Sequence, residues 1–118
     1  MKFFSTFALV SAMALASNAF IVTLYDGENC SGATASRNVY DNTCAETGGF
    51  QSYAITTYGG SGQKLIAWSR NACAGPQTSK VCAQGTNKPA LGQCFNSVDS
   101  SGGSNAISSI SSLGDCPN

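Results

Sequence analysis

The chain reads as an all-β protein: a small, disulfide-stabilised β-sandwich of two similar halves. Three observations predict this. Short runs rich in β-branched and aromatic residues are separated by glycine-bearing turns, six cysteines fall within 118 residues, and one corner is written twice. Leu24 to Gly32 reads LYDGENCSG and Ala67 to Gly75 reads AWSRNACAG, so an aromatic, four residues, a cysteine, one residue and a glycine recur forty-three positions apart. After the first nineteen residues no long segment places apolar side chains at helical spacing, which argues against a helical core.

In chain order, residues 1–19 read as a signal peptide. Lys2 precedes an apolar run from Phe7 to Ala16, and small residues follow at Ser17 and Ala19. The run is about half the roughly twenty residues a membrane-spanning helix requires, so no retained anchor is expected. The expected cut lies before Phe20, with Ala14-Leu15-Ala16 as a second site. Residues 20–118 form a single domain. Phe20 to Tyr25 is a strand by composition and stops at the turn dipeptide Asp26-Gly27. A weaker strand runs from about Thr34 to Tyr40, a turn follows at Asp41-Asn42, and another strand covers about Phe50 to Thr57. This first unit, about 20–58, ends at a glycine-rich hinge, 59–63. The second unit, about 64–118, opens on the strand Lys64 to Trp68 and closes on Ala106 to Leu113. Ile107, Ile110 and Leu113 fall three apart and raise a short helical turn, which the serines and β-branched isoleucines disfavour. Ala83 to Pro89 and Ser97 to Asn105 read as loops.

The repeated corner has a physical reading. An aromatic ring covers the bend of a folded-over hairpin, a glycine seven positions on takes a positive backbone angle, and a serine on the fourth strand hydrogen-bonds back. Aromatic, four residues, aromatic, one residue, glycine, with a later serine, is the Greek-key signature of the βγ-crystallin superfamily, and the chain resembles a two-motif member. The resemblance places Tyr25, Gly32 and Ser52 in the first motif and Trp68, Gly75 and Ser109 in the second. For this, Phe50-Gln51-Ser52-Tyr53 is laid on Ile107-Ser108-Ser109-Ile110. Cys30 and Cys73 stand where the family has its second aromatic, so a disulfide is expected to replace ring packing there. In style the chain is also similar to crystallin-type killer toxins, a metalloproteinase inhibitor and small secreted fungal proteins.

Export places the cysteines in an oxidising compartment, where an even count in a short chain predicts three bridges. Fifteen connectivities are possible. The repeat suggests Cys30–Cys44 and Cys73–Cys94 as corresponding links, leaving Cys82–Cys116. A chain this small has a marginal core, and each bridge is worth roughly 3 kcal/mol.

Composition also excludes. Beyond the leader, five basic residues (Arg37, Lys64, Arg70, Lys80, Lys88) are scattered against six acidic ones, which does not make a nucleic-acid surface. There is no histidine, which removes Ser-His-Asp hydrolysis and histidine-dependent nucleases. The close pair Asp26 and Glu28 sits in the hairpin, and a non-enzyme is expected. No CxxC pair suggests zinc. The calcium motif that the resemblance brings is degraded: Ser104-Asn105-Ala106-Ile107-Ser108-Ser109 lacks its first amide or carboxylate, and Gly48-Gly49-Phe50-Gln51-Ser52-Tyr53 lacks both. No cofactor or metal is expected. Asn29-Cys30-Ser31 is a glycosylation sequon. Phe20, Tyr40, Tyr53 and Phe95 are assigned to packing rather than to a binding patch. The expectation is a secreted monomer that binds an extracellular protein or cell-surface target, as a fungal effector or toxin-like antimicrobial protein, without membrane insertion. The alternatives are an extracellular protease inhibitor presenting Lys80 or Arg70, and a structural wall protein.

Overall fold

The computed structural model describes residues 19–60, 62–83, 88–99 and 102–110. Among these, eight strands follow in order: β1 Ala19–Gly27, β2 Ser31–Tyr40, β3 Thr43–Phe50, β4 Ser52–Thr57, β5 Lys64–Arg70, β6 Ala74–Cys82, β7 Cys94–Asn96 and β8 Ser104–Ile110. A short 3-10 turn, Asn71–Cys73, joins β5 to β6. The strands form two antiparallel four-stranded sheets ordered β2-β1-β4-β7 and β3-β8-β5-β6.

Each half is a Greek key whose third strand has crossed to the other sheet. β3 of the first half pairs with β8, and β7 of the second half pairs with β4. Neither half therefore completes a sheet alone, and one core is shared between them.

Alternation along the strands decides what enters that core. In β1, Phe20, Val22 and Leu24 are buried, while Ile21, Thr23 and Tyr25 between them are partly exposed. Leu65, Ala67 and Ile107 answer from the opposite sheet. Tyr53 of β4 sits at the centre. Its ring meets Phe50 edge-on at 6.4 Å and stacks on Phe95 at 5.5 Å. Its hydroxyl shares a 2.8 Å hydrogen bond with Ser79 Oγ of β6, tying one sheet to the other. Burial pushes the Tyr53 phenol up to about 12, against the smaller downward pull of the Ser79 hydrogen bond.

The bridges differ from the expected pairing, and the strand exchange is the reason. Cys30 is joined to Cys94 and Cys44 to Cys73, in place of Cys30–Cys44 and Cys73–Cys94. Cys44 does correspond to Cys94 by position, but each lies on an exchanged third strand. β3 carries Cys44 into the sheet that ends at the Cys73 corner, and β7 carries Cys94 into the sheet that ends at the Cys30 corner. Each bridge thus stays at one sheet while linking the two halves. Cys82 is also disulfide-bonded, and its expected partner Cys116 lies outside the described residues.

Other expectations shift at their edges. β3, β6 and β7 were not read from sequence, β2 begins at Ser31, and β8 takes in Ser104 and Asn105. Ile107 and Ile110 belong to extended strand rather than a helical turn; Leu113 lies outside the described residues. So does the expected leader through residue 18. Ala19, the last residue assigned to it, opens β1, pairs with Tyr40 and is buried.

Candidate functional site

The two corners are built alike from the backbone up. Asn29, Cys30 and Gly32 have φ of 59°, 55° and 86°; Ala72, Cys73 and Gly75, forty-three positions on, have 62°, 53° and 77°. Three left-handed residues in the same pattern give each hairpin its folded-over shape. At Gly75 a Cβ would also come within 2.8 Å of Ser69 Oγ, and at Gly32 within 3.3 Å of the Gly27 nitrogen. The aromatic partners Tyr25 and Trp68 are each half-buried.

Ser52 secures the first corner. Its hydroxyl donates to the Gly27 carbonyl at 2.5 Å and accepts the Cys30 N–H at 2.9 Å. Beside it, Gln51 Nε2 donates to the Asp26 carbonyl at 3.1 Å. At the second corner Asn105 Nδ2 donates to the Ser69 carbonyl at 2.8 Å, so Asn105 corresponds to Gln51. Tyr25 pairs with Ser52, and Trp68 pairs with Ala106. The residue equivalent to Ser52 is therefore Ala106, and the assignment of Ser109 to that role is corrected by three positions. Ser109 lies toward the far end of β8, pairs with Leu65 and donates to Gln63 Oε1 at 3.3 Å. Serine enters the second corner differently: Trp68 Nε1 donates to Ser108 Oγ at 2.9 Å.

Two features open onto solvent beside these corners. A cleft of about 350 Å³ is bounded by Trp68, the Cys44–Cys73 bridge, Thr43, Ser108 and Ile110. A groove of about 200 Å³ lies between β2 and the end of β3, floored by Leu24 and Phe50 and walled by Ala33, Ala35 and Thr47, with Asp26 at one end. It continues past Asp26 and Phe50 toward Gly103 and Asn105. Trp68, read from sequence only as a corner residue, also lines a surface cleft. Its place in the repeat gave no signal for this, because the cleft is completed by β3 from the other half.

The remaining candidates are distributed rather than convergent. Asp26 and Glu28 are both exposed at the β1–β2 corner. No group of three or more His, Cys, Asp or Glu side chains able to hold a metal occurs among the described residues. The weak calcium motif is occupied with internal bonds: Ser104 Oγ donates to the Ser97 carbonyl at 2.5 Å, and Asn105, Ser108 and Ser109 are engaged as above. Asn29 is exposed, with its N–H on Asn96 Oδ1 at 2.7 Å and its side-chain oxygen accepting from Asn96 Nδ2 at 3.0 Å. Arg70 is exposed and extended, with φ −119° and ψ 159°, directly before the turn that Cys73 anchors. Lys80 stands within β6 opposite Ile66, not on a loop. Phe20 and Tyr53 are buried in the core and Phe95 packs against it, whereas Tyr40 is 48% exposed. No helix among the described residues is long and apolar enough to cross a membrane.

No family model, curated protein or solved structure matches this chain.

Proposed function

We propose that the protein is a secreted, non-enzymatic, cysteine-rich domain of crystallin-like form that acts outside the cell by binding, as a fungal effector or toxin-like antimicrobial protein. The observation that carries the reading is the pair of reciprocal bridges, Cys30–Cys94 and Cys44–Cys73, which fix the two corners beside open surface grooves. A scaffold stapled in this way presents its surface in one conformation and loses little entropy on binding. The opening of the chain supports export, and the doubled corner supports the crystallin-like assignment. The test is direct application of the purified, oxidised protein to host tissue and to competing microbes. A response or growth inhibition that disappears on reduction is expected; no effect on either disposes of the reading.

A second reading rests on Arg70. It is exposed and extended at the end of β5, three residues before Cys73 of the Cys44–Cys73 bridge, whereas Lys80, also exposed, lies further along β6. Titration against trypsin-like proteases decides: undiminished hydrolysis at equimolar protein removes inhibition.

A further inference from the structure

We infer that the free edge of β2, together with the groove beneath it, is a docking site for an extended segment of a target protein, which adds to the sheet as a fifth, antiparallel strand. The inference deepens the binding function proposed above and rests on it.

The four sheet edges are not equivalent. β7 spans three residues, β6 carries Pro76 and Lys80, and the pairing of β3 is irregular between Glu46 and Phe50. Short length, proline, lysine, irregularity and inward-pointing charge are features that discourage strand addition; β2 has a register shift only beyond Tyr25 and one inward charge, Arg37, which an acid on the incoming strand would answer. β2 is ten residues long, pairs in unbroken register with β1 from Ala19–Tyr40 to Tyr25–Thr34, and contains neither proline nor lysine. Among the described residues it pairs with β1 alone. Ser31 to Asn38 are exposed on both faces, so the row of outward N–H and C=O groups is open to a partner.

Side chains select the occupant. Ala33, Ala35, Arg37 and Val39 share the face opposite Leu24, Val22 and Phe20, because residues paired across a ladder lie on the same side. Arg37 is thus an exposed cation on the inner face, two residues along β2 from the groove lining at Ala35, and Asp26 is a carboxylate within the groove. A second copy of β2 would bring another inward arginine toward Arg37 and, besides Val39, only alanines to fill a groove of about 200 Å³. An incoming antiparallel strand fits better if its inner face carries an acid opposite Arg37, an apolar residue opposite Ala35 over Leu24 and Phe50, and a base opposite Ala33 near Asp26. Main-chain bonds then give affinity, and alternate side chains give selectivity.

The probe is the capped synthetic heptapeptide TETVTKT, which has that inner-face pattern, titrated into the intact oxidised protein by NMR. Two further peptides carry N-methyl groups on alternate amides, one set for each edge of the strand. The expected result is amide shifts mapping to β2, with binding weakened about tenfold or more by one methylation pattern and retained with the other. The surface substitution Arg37→Glu should weaken the parent peptide about fivefold. Absence of binding at millimolar peptide, shifts centred elsewhere, equal binding of both methylated peptides, or concentration-dependent self-pairing through β2 each overturns the inference. Tissue and microbial assays test the function, whereas the titration tests the edge, so a failure of one is distinguishable from a failure of the other.

Discussion

At the scale of single residues, the corners show where side-chain chemistry works against the backbone it occupies. Ala72 holds φ of 62° where its counterpart is Asn29 at 59°. Asparagine tolerates this region, but alanine pays about 1 kcal/mol for its Cβ. Ala72→Gly should therefore raise the unfolding free energy by about 1 kcal/mol in urea, and no change would remove the strain argument. Tyr53 gives a pH dependence whose sign follows from burial. Its phenol is raised from 10.0 to about 12 in the folded protein, so the neutral form is favoured there. The associated stability is complete below pH 10 and is lost as pH rises toward 12, amounting to about 2–3 kcal/mol. Equilibrium unfolding between pH 9 and 12 should show this fall, and Tyr53→Phe should flatten it. A fall of equal size in Tyr53→Phe would assign it to other groups.

At the scale of elements, the hairpins were legible because their requirements are local. A glycine at a positive φ and an aromatic over a bend are written within eight residues of each other, and Gly32 and Gly75 stand where that pattern placed them. The closing serine was harder. β8 offers Ser108 and Ser109 in the stretch laid on Ser52, and only the ladder shows that Ala106 is the residue opposite Trp68. β3, β6 and β7 are illegible in the sequence for a related reason: TCAETGGF and AGPQTSKVC expose most of their side chains, so neither shows the alternation that identifies a half-buried strand, and CFN is too short to show any. The first corner depends on Ser52 for two bonds, the second on Asn105 and Trp68. Ser52→Ala should cost about 2 kcal/mol and speed exchange of the Cys30 amide, because that N–H and the Gly27 carbonyl both lose their partner. Ser109→Ala should leave the Cys73 amide unaffected; faster exchange there would restore Ser109 to the second corner.

At the scale of the whole molecule, the exchanged third strands make two incomplete sheets into one body. Sequence repetition indicated two equivalent halves, and equivalence alone suggested bridges within each half. What it could not reveal was that β3 and β7 trade places, because their pairing is long-range and nothing local records which sheet a weak strand joins. The exchange turns the same correspondence of cysteines into bridges across the halves, closing loops of 64 and 29 residues by sequence separation. Each such closure stabilises by about 4 kcal/mol in the chain-entropy account, which is large against a small shared core. It also sets the surface, since the Trp68 cleft and the β2 groove are each lined from both sheets or both halves. The direct test of this architecture is disulfide mapping by mass spectrometry of the oxidised, proteolysed protein. The strand exchange requires fragments linking Cys30 to Cys94 and Cys44 to Cys73; fragments linking Cys30 to Cys44 would contradict it and the surfaces built on it.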